Sequence, residues 1–291
     1  MAVGNTTTGS VSDSLDVVAA SARSRREYDA VVPQLVDRVD LDANSGTGWR
    51  EILFEQLAAQ AVTETTVLDN PQQYDDSAIT ITPQMVQIQT FISDKVDRNL
   101  NTKALAQMGA LGGEAMMRKK DEDGLTAMDG STTQLGTANT PLQVGDIANA
   151  RYRITSNATE PGPMPISGVF HGFCIKDFFD ELVAGIGTYP IPEGSTATVF
   201  QGGFNLPIAS VSIHEDGNIT IDASSGDALN FVFSKSAWVL VSEMALRTET
   251  RREPHIAGGG NSLFLTDSYA YGERSAGNWS YELIGDATAP A

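Results

Sequence analysis

The chain has 291 residues, with 19 basic against 37 acidic side chains and a net charge of −18. A hydrophobic fraction of 41% with 19% charged residues fits a folded chain of one or two domains and argues against wholesale disorder. The single cysteine excludes a disulfide framework and every multi-thiolate metal site, and the acidic balance disfavours tight binding of free nucleic acid.

The first 60 residues read as an arm. Met1 to Ser14 is rich in Thr, Ser and Gly and is expected to be ordered only by a partner. Leu15 to Arg38 carries a loose helical period with Pro33 as a break, and Trp49, Ile52, Leu53, Leu57 and Ala61 space as a short amphipathic helix. Ala61 to Ile92 holds four acids (Glu64, Asp69, Asp75, Asp76) and no base. Its β-branched Val62–Leu68 run, its turn residues at 69–77 and the period-two Ile79–Thr82 and Val86–Gln89 runs predict a long β-hairpin. Two strands cannot supply their own core, so this hairpin needs a surface to lie on.

The spacing of Val96, Leu100, Ala104, Met108, Leu111 and Ala115 predicts a long helix over 93–120. Ser93 is its expected N-cap, and Arg118, Lys119 and Lys120 suit its C-terminal end. Gly109, Gly112 and Gly113 inside it read as close packing against another backbone, or as a point where the helix bends. Further on, Val144–Tyr152 reads as a helix, Val169–Ile175 as a buried strand and Lys176–Ala184 as a second helix. Ile208–Ile213, Ile219–Ile221 and Asn230–Phe233 read as short strands. Ser236–Met244 is apolar and ambiguous, Leu246–Arg252 alternates charge along a strand-like run, and Leu263–Tyr271 and Tyr281–Ile284 are closing strands.

The chain is poor in catalytic signals. His171 and Cys174, placed on one strand, point to opposite faces and read as core residues. His214-Glu215-Asp216 beside a Gly-Asn turn and His255 after Pro254 read as exposed, with no metal spacing among the three histidines. Gly258-Gly259-Gly260 precedes a strand and reads as a loop, and no P-loop, nucleophile elbow or dinucleotide fingerprint occurs. The expectations are no enzyme activity, no cofactor and no metal. Apolar runs fall far short of the ~20 residues that span a bilayer, and the start lacks the pattern of a signal peptide. No membrane partner is expected.

The order of arm, polar hairpin, long helix, mixed domain and returning β-segment resembles the major capsid protein of tailed bacteriophages. Ala59–Thr66 and Asp69–Tyr74 are similar to the start of that family's extended loop. Ile81-Thr82-Pro83 and Ile88–Lys95 resemble its return into the spine helix, and Leu105–Leu111 and Arg118–Leu125 resemble the helix and its exit. Val169-Phe170-His171 is similar to the strand-to-helix step of the axial domain, although Gly172 stands where relatives often carry Pro. Phe233–Arg247 is similar to the segment returning to the peripheral domain.

The resemblance implies an α+β fold divided as N-terminal arm (1–60), extended loop (61–92), spine helix and first part of the peripheral domain (93–140), axial domain (141–230) and peripheral return (231–291). It implies a virion capsid protein assembled in the host cytoplasm, forming hexamers and pentamers of an icosahedral shell around double-stranded DNA, which it holds without sequence preference. A portal, a separate scaffolding protein (the arm being too short to hold a built-in one) and cement or decoration proteins would be partners. The extended loop would lie over a neighbouring subunit, with Glu64, Asp69, Asp75 and Asp76 meeting Arg247, Arg251 and Arg252 of the next copy. With no lysine in the loop, no isopeptide crosslink runs through it. An encapsulin-type nanocompartment around a cargo enzyme is the alternative. A compact two-domain enzyme or binding protein is the rival from another class.

Overall fold

The computed structural model describes residues 27–42, 46–64, 72–99, 102–130, 133–185, 207–256, 258–275 and 277–289. The expectations for Met1–Ser14, for the helical period before Glu27, and for Asp69 lie outside the described residues.

Two long strands organise the chain. β9 (Trp238–Arg252) and β10 (Gly260–Glu273) form an antiparallel ladder around the turn at 253–259. Positive φ at Gly258 and Gly259 lets that turn close. Two other strands flank the ladder at opposite ends. β1 (Asp37–Asp40) lies parallel to the start of β9, Asp37 opposite Val239, and stops at Ser242. β4 (Gln84–Ser93) lies antiparallel to the first part of β10, from Gly260 to Tyr269. The sheet order is therefore β1-β9-β10-β4, and beyond Ser242 the outer edge of β9 faces no strand among the described residues. Burial follows this stagger: Trp238 to Val241 are buried, whereas Leu246 to Arg252 are exposed.

A second, five-stranded sheet forms the body, in the order β5 (Gln134–Gly136), β11 (Ser280–Asp286), β8 (Asp227–Ser234), β6 (Ile166–Phe170) and β7 (Val211–Glu215). β8 passes into β9 through a single 3-10 turn, so the two sheets are consecutive along the chain. Helices pack on the body, where Ile147, Ile154, Phe170, Phe178, Phe233 and Leu283 are fully buried and the Phe170 and Phe178 rings meet edge to face at 5.2 Å.

The predicted strands at Asn230–Phe233, Leu263–Tyr271 and Tyr281–Ile284 and the predicted helix at Val144–Tyr152 are found. Elsewhere tertiary partners move the boundaries. The segment expected as a helix from Trp49 is strand β2 (Trp49–Phe54), paired antiparallel with β3 (Asp76–Ile81) from Trp49–Ile81 to Phe54–Asp76. Its apolar residues fit a helical period, and the pairing with β3 overrides it. The hairpin ladder therefore starts at Trp49 instead of at Val62, and Val62 to Glu64 are not strand. Residues 65–71, which include the rest of the expected Val62–Leu68 strand, lie outside the described residues.

The long helix is described in two parts, α2 (Asp94–Asn99) and α3 (Thr102–Asp129), with residues 100 and 101 between them outside the described residues; α1 is the short turn Val32–Leu35. The Ser93 hydroxyl accepts the Val96 N–H at 3.4 Å as the expected cap. α3 has 28 residues, ~42 Å at about 1.5 Å per residue, and runs nine residues past Lys120. Arg118, Lys119 and Lys120 thus sit inside the helix. Lys120 Nζ lies 2.7 Å from Asp267, Lys119 pairs with Asp123, and Arg118 pairs with Glu27 and Glu122. A register shift in β10 around Asp267 turns that carboxylate toward the helix. Of Gly109, Gly112 and Gly113, only Gly112 is close-packed, against the Leu265 side chain, and among the described residues nothing crowds the other two; Gly124, further along α3, is packed more tightly against Val32 and Tyr271.

The strand expected through Ile175 stops at Phe170, and α5 (Gly172–Gly185) begins two residues later, after α4 (Val144–Thr155). The Asn230 carboxamide accepts the His171 N–H at 2.8 Å, and His171 Nδ1 accepts the Phe173 N–H at 3.2 Å, which ends the strand and starts the helix. Ile208–Ile213 shrinks to β7 preceded by a bridge at Ile208, and Ile219–Ile221 to a bridge between Ile221 and Ala228.

Candidate assembly surfaces

The β2–β3 hairpin stands on the inner end of the first sheet. Ile81 packs with Val239 and Val241, joined by Val39, Trp49 and Ile79. Ile81 also lies against Gly272, where any side chain would collide with it. Arg274, at the end of β10, binds the base of the hairpin to the body. Its Nε donates to Glu51 at 2.7 Å, its Nη1 to Asp37 at 2.5 Å, and its guanidinium lies 5.7 Å from the Trp49 ring centroid. The three salt-bridged side chains are 19–37% exposed, which shields them in part from solvent. Sequence reading missed this anchor, because Arg274 is separated from Glu51 and Asp37 by more than two hundred residues.

Beyond its base the hairpin is unlike a protein surface that has no further contacts to make. Ile52, Phe54, Leu57, Val62 and Tyr74 are 50–62% exposed, and the Phe54 and Tyr74 rings stack at 5.2 Å. Clusters of exposed apolar groups mark interaction sites more often than single ones do. The same segment carries the acids: Glu64, Asp75 and Asp76 are all exposed.

The predicted basic set lies on the outer half of β9. Each arginine has a carboxylate beside it: Arg247 to Glu249 at 2.6 Å, Arg251 to Glu253 at 3.3 Å, and Arg252 to Asp94 through two contacts of 2.5 and 2.6 Å. The Arg252 pair links the tip of the sheet to the start of α2, and holds the Asp94 carboxyl below its usual range. Arg247 and Arg251 keep side-chain exposures of 59% and 72%. Within the chain, therefore, the described acids Glu64, Asp75 and Asp76 and the three arginines sit on different elements, and the arginines pair with other carboxylates.

The histidines and the cysteine are dispersed. Cys174 is buried, its thiol pushed up to about 11 by desolvation. Burial holds His171 and His214 below the usual imidazole range. His255 is exposed as expected, but Asp216 is not: it is 1% exposed. A cleft of about 260 Å³ between α3 and β8 is lined by residues such as Glu122, Leu125, Asp129, Ile219 and Phe231. Among the described residues no three His, Cys, Asp or Glu side chains are placed to hold a metal ion, and no helix is long and apolar enough to cross a membrane.

No family model and no curated protein matches this sequence. Solved structures do. The chain is similar to the capsid structure of cyanophage P-SCSP1u, with a TM-score of 0.70 at 14% identity, over 97% of this chain and 96% of that one. It is similar to the head structure of Helicobacter pylori bacteriophage KHP40, with a TM-score of 0.71 at 9% identity, over 99% and 100%. It is also similar to the capsid of Ralstonia phage GP4, with a TM-score of 0.67 at 11% identity, over 95% and 97%. At such identities the likeness is one of fold, and it extends over nearly the whole of both chains.

Proposed function

We propose, from the phage-capsid fold that this chain has, that it is a structural major capsid protein whose copies form the hexamers and pentamers of an icosahedral shell around double-stranded DNA. The observation that carries the reading is the match of near-full-length fold with a projecting hairpin that exposes apolar and acidic groups together. A fold alone does not dictate a function. A hairpin that cannot bury its own apolar side chains adds a physical reason for a second copy.

In the proposed shell the hairpin of one subunit lies across the outer half of β9 and β10 of the next. Glu64, Asp69, Asp75 and Asp76 then face Arg247, Arg251 and Arg252. Arg247 and Arg251 are the more available bases, since Arg252 already holds Asp94 from two sides. The proposed arm, loop, spine, axial and peripheral divisions are kept as read from the sequence, except that the ladder at the base of the loop begins at Trp49. A scaffolding protein, a portal and cement proteins complete the particle, which is built in the host cytoplasm and holds its DNA without sequence preference. The net charge of −18 suits a container that does not grip its contents. The similar solved structures are capsids of phages and of a GTA particle, which favours DNA over the cargo enzyme of a nanocompartment.

The test is charge reversal at Arg251 and Arg252. The double variant is expected to fold as the parent does and to fail in shell formation by electron microscopy. Normal shells from it refute the loop contact.

A further inference from the structure

The start of the described chain is fastened to α3 by a carboxylate. Asp121, fully buried in the middle of that helix, accepts the Val31 and Val32 backbone N–H groups on Oδ1 at 2.9 and 2.8 Å. Its Oδ2 accepts the Asn218 carboxamide at 2.8 Å. Asn218 belongs to the turn after β7, where its own N–H donates to Asp216 Oδ1 at 2.8 Å. The same turn carries Gly217, whose missing side chain leaves room for the Tyr28 ring. Three parts of the molecule therefore meet at one point: the segment 27–36, the middle of the long helix, and a turn of the body sheet.

The meeting point contains a conflict that a proton resolves. Asp216 is 1% exposed, its Oδ2 has no donor among the described residues, and its neighbour is the Asp121 carboxyl. Two carboxylates cannot hydrogen-bond each other unless one carries hydrogen. Among the described residues the surrounding groups do not supply a cation. Arg118 is held by Glu27 and Glu122, Lys120 by Asp267, and Arg38 of β1 donates to the Pro33 carbonyl. Glu215 adjoins Asp216, Glu122 adjoins Asp121, Asp29 lies on the segment, and Tyr271 of β10 donates its hydroxyl to the Lys120 carbonyl.

We propose that Asp121 and Asp216 form a one-proton clasp that fastens the segment 27–36 to the long helix and the body sheet, and that loosens when the proton is lost. The proton sits between the two carboxyls, donated by Asp216 to Asp121. On its release both carboxylates face each other in a buried site, and the least costly relief is local opening that lets water reach them. Opening detaches Val31 and Val32 from Asp121 and leaves the sheets in place. Burial, followed by the hydrogen bond and charge of Asp121, pushes Asp216 up to about 7. The sign follows. Between the ordinary carboxyl range and that value the closed form binds one proton more than the open form, so closure weakens as pH rises. Above it both forms are ionised and the dependence levels off. The clasp is fast in acid and loose at and above neutrality. It holds whether or not the chain builds shells.

The test is hydrogen exchange by mass spectrometry on the full chain, corrected for the intrinsic rate, between pH 5.5 and 8.5. Protection of residues 27–36 is expected to fall about tenfold per pH unit up to ~7 and then to level off, as one-proton linkage requires. Peptides of β8 and β11 should not follow it. Asp216→Asn keeps a donor toward Asp121 without a charge to gain, and should hold the segment protected across the range. Asp121→Asn, which keeps an acceptor for Val31 and Val32 and supplies a donor to Asp216, should do the same and decides the matter where Asp216→Asn does not fold. Flat protection in the parent, or an unchanged slope in either folded variant, overturns the proposal.

Discussion

The body sheet and the β2–β3 hairpin are made from the same kinds of residue and treat them in opposite ways. In the body, Phe170, Phe178, Phe233 and Leu283 are completely buried between strands and helices of the same subunit. On the hairpin, Phe54, Leu57 and Tyr74 remain more than half exposed, with acids around them. Burying such a side chain is worth about 1.5–3 kcal/mol, so the first region contains its own stabilisation and the second leaves it unrealised. The difference teaches that burial within the chain is confined to the body and the inner half of the first sheet, and on the proposed function the working unit is larger than the folding unit. The body and the inner half of the first sheet form a self-sufficient subunit. In the proposed shell the hairpin and the outer half of β9 are completed by the surface of another copy.

The comparison is most severely tested inside the self-sufficient part. Phe233→Ala is expected to cost about 3–5 kcal/mol and to yield an insoluble or largely unfolded subunit. A soluble variant with the parent's denaturant midpoint would contradict the account of the body. Lys120→Met leaves the buried Asp267 carboxylate unpaired, a loss of about 3–5 kcal/mol by chemical denaturation. Adding Asp267→Asn should recover a large part of it, since the stranded charge is then gone.

At the border between the two regions, Arg274→Met removes the link from the hairpin to β1. A cost of about 1–3 kcal/mol is expected, together with faster hydrogen exchange at 49–54 and 76–81 than anywhere in the body. Uniform exchange would mean that the hairpin is not held at its base. In the incomplete part the sign of the comparison reverses: Arg251→Glu with Arg252→Glu should leave the thermal midpoint of the isolated subunit near that of the parent and still abolish shells. The smallest effect is chemical. Cys174, with its thiol pushed up to about 11, should alkylate on the order of a hundredfold more slowly in the folded chain than in denaturant.

Legibility in the sequence follows the same division. Strands buried on both faces, such as Asn230–Phe233 and Tyr281–Ile284, announce themselves by apolar runs that no other element explains. The Ser93 cap is equally plain, being a local motif. Trp49–Phe54 misleads because its apolar spacing is helical and the pairing with β3 overrides it. Phe173, Cys174 and Ile175 continue a strand on paper, but Asn230, 59 residues from His171, ends it. The helix exit at Lys120 misleads because a basic cluster reads as a C-terminus until Asp267 is seen opposite it. The residues proposed for the contact, Glu64, Asp69, Asp75, Asp76, Arg247, Arg251 and Arg252, are chosen from charge segregated along the chain, and the contact itself stays a proposal. The Arg274 anchor and the Asp121–Asp216 pair were not legible, because each brings together groups far apart in sequence.

The central claim is that this chain is a shell subunit, and cryo-electron microscopy of the full chain produced with its genomic neighbours tests it most directly. The account predicts closed icosahedral particles containing DNA, with the hairpin of each copy lying on the outer β9–β10 sheet of the next. A compact monomer, with its hairpin folded back on its own body and no particles under any co-expression, would contradict it.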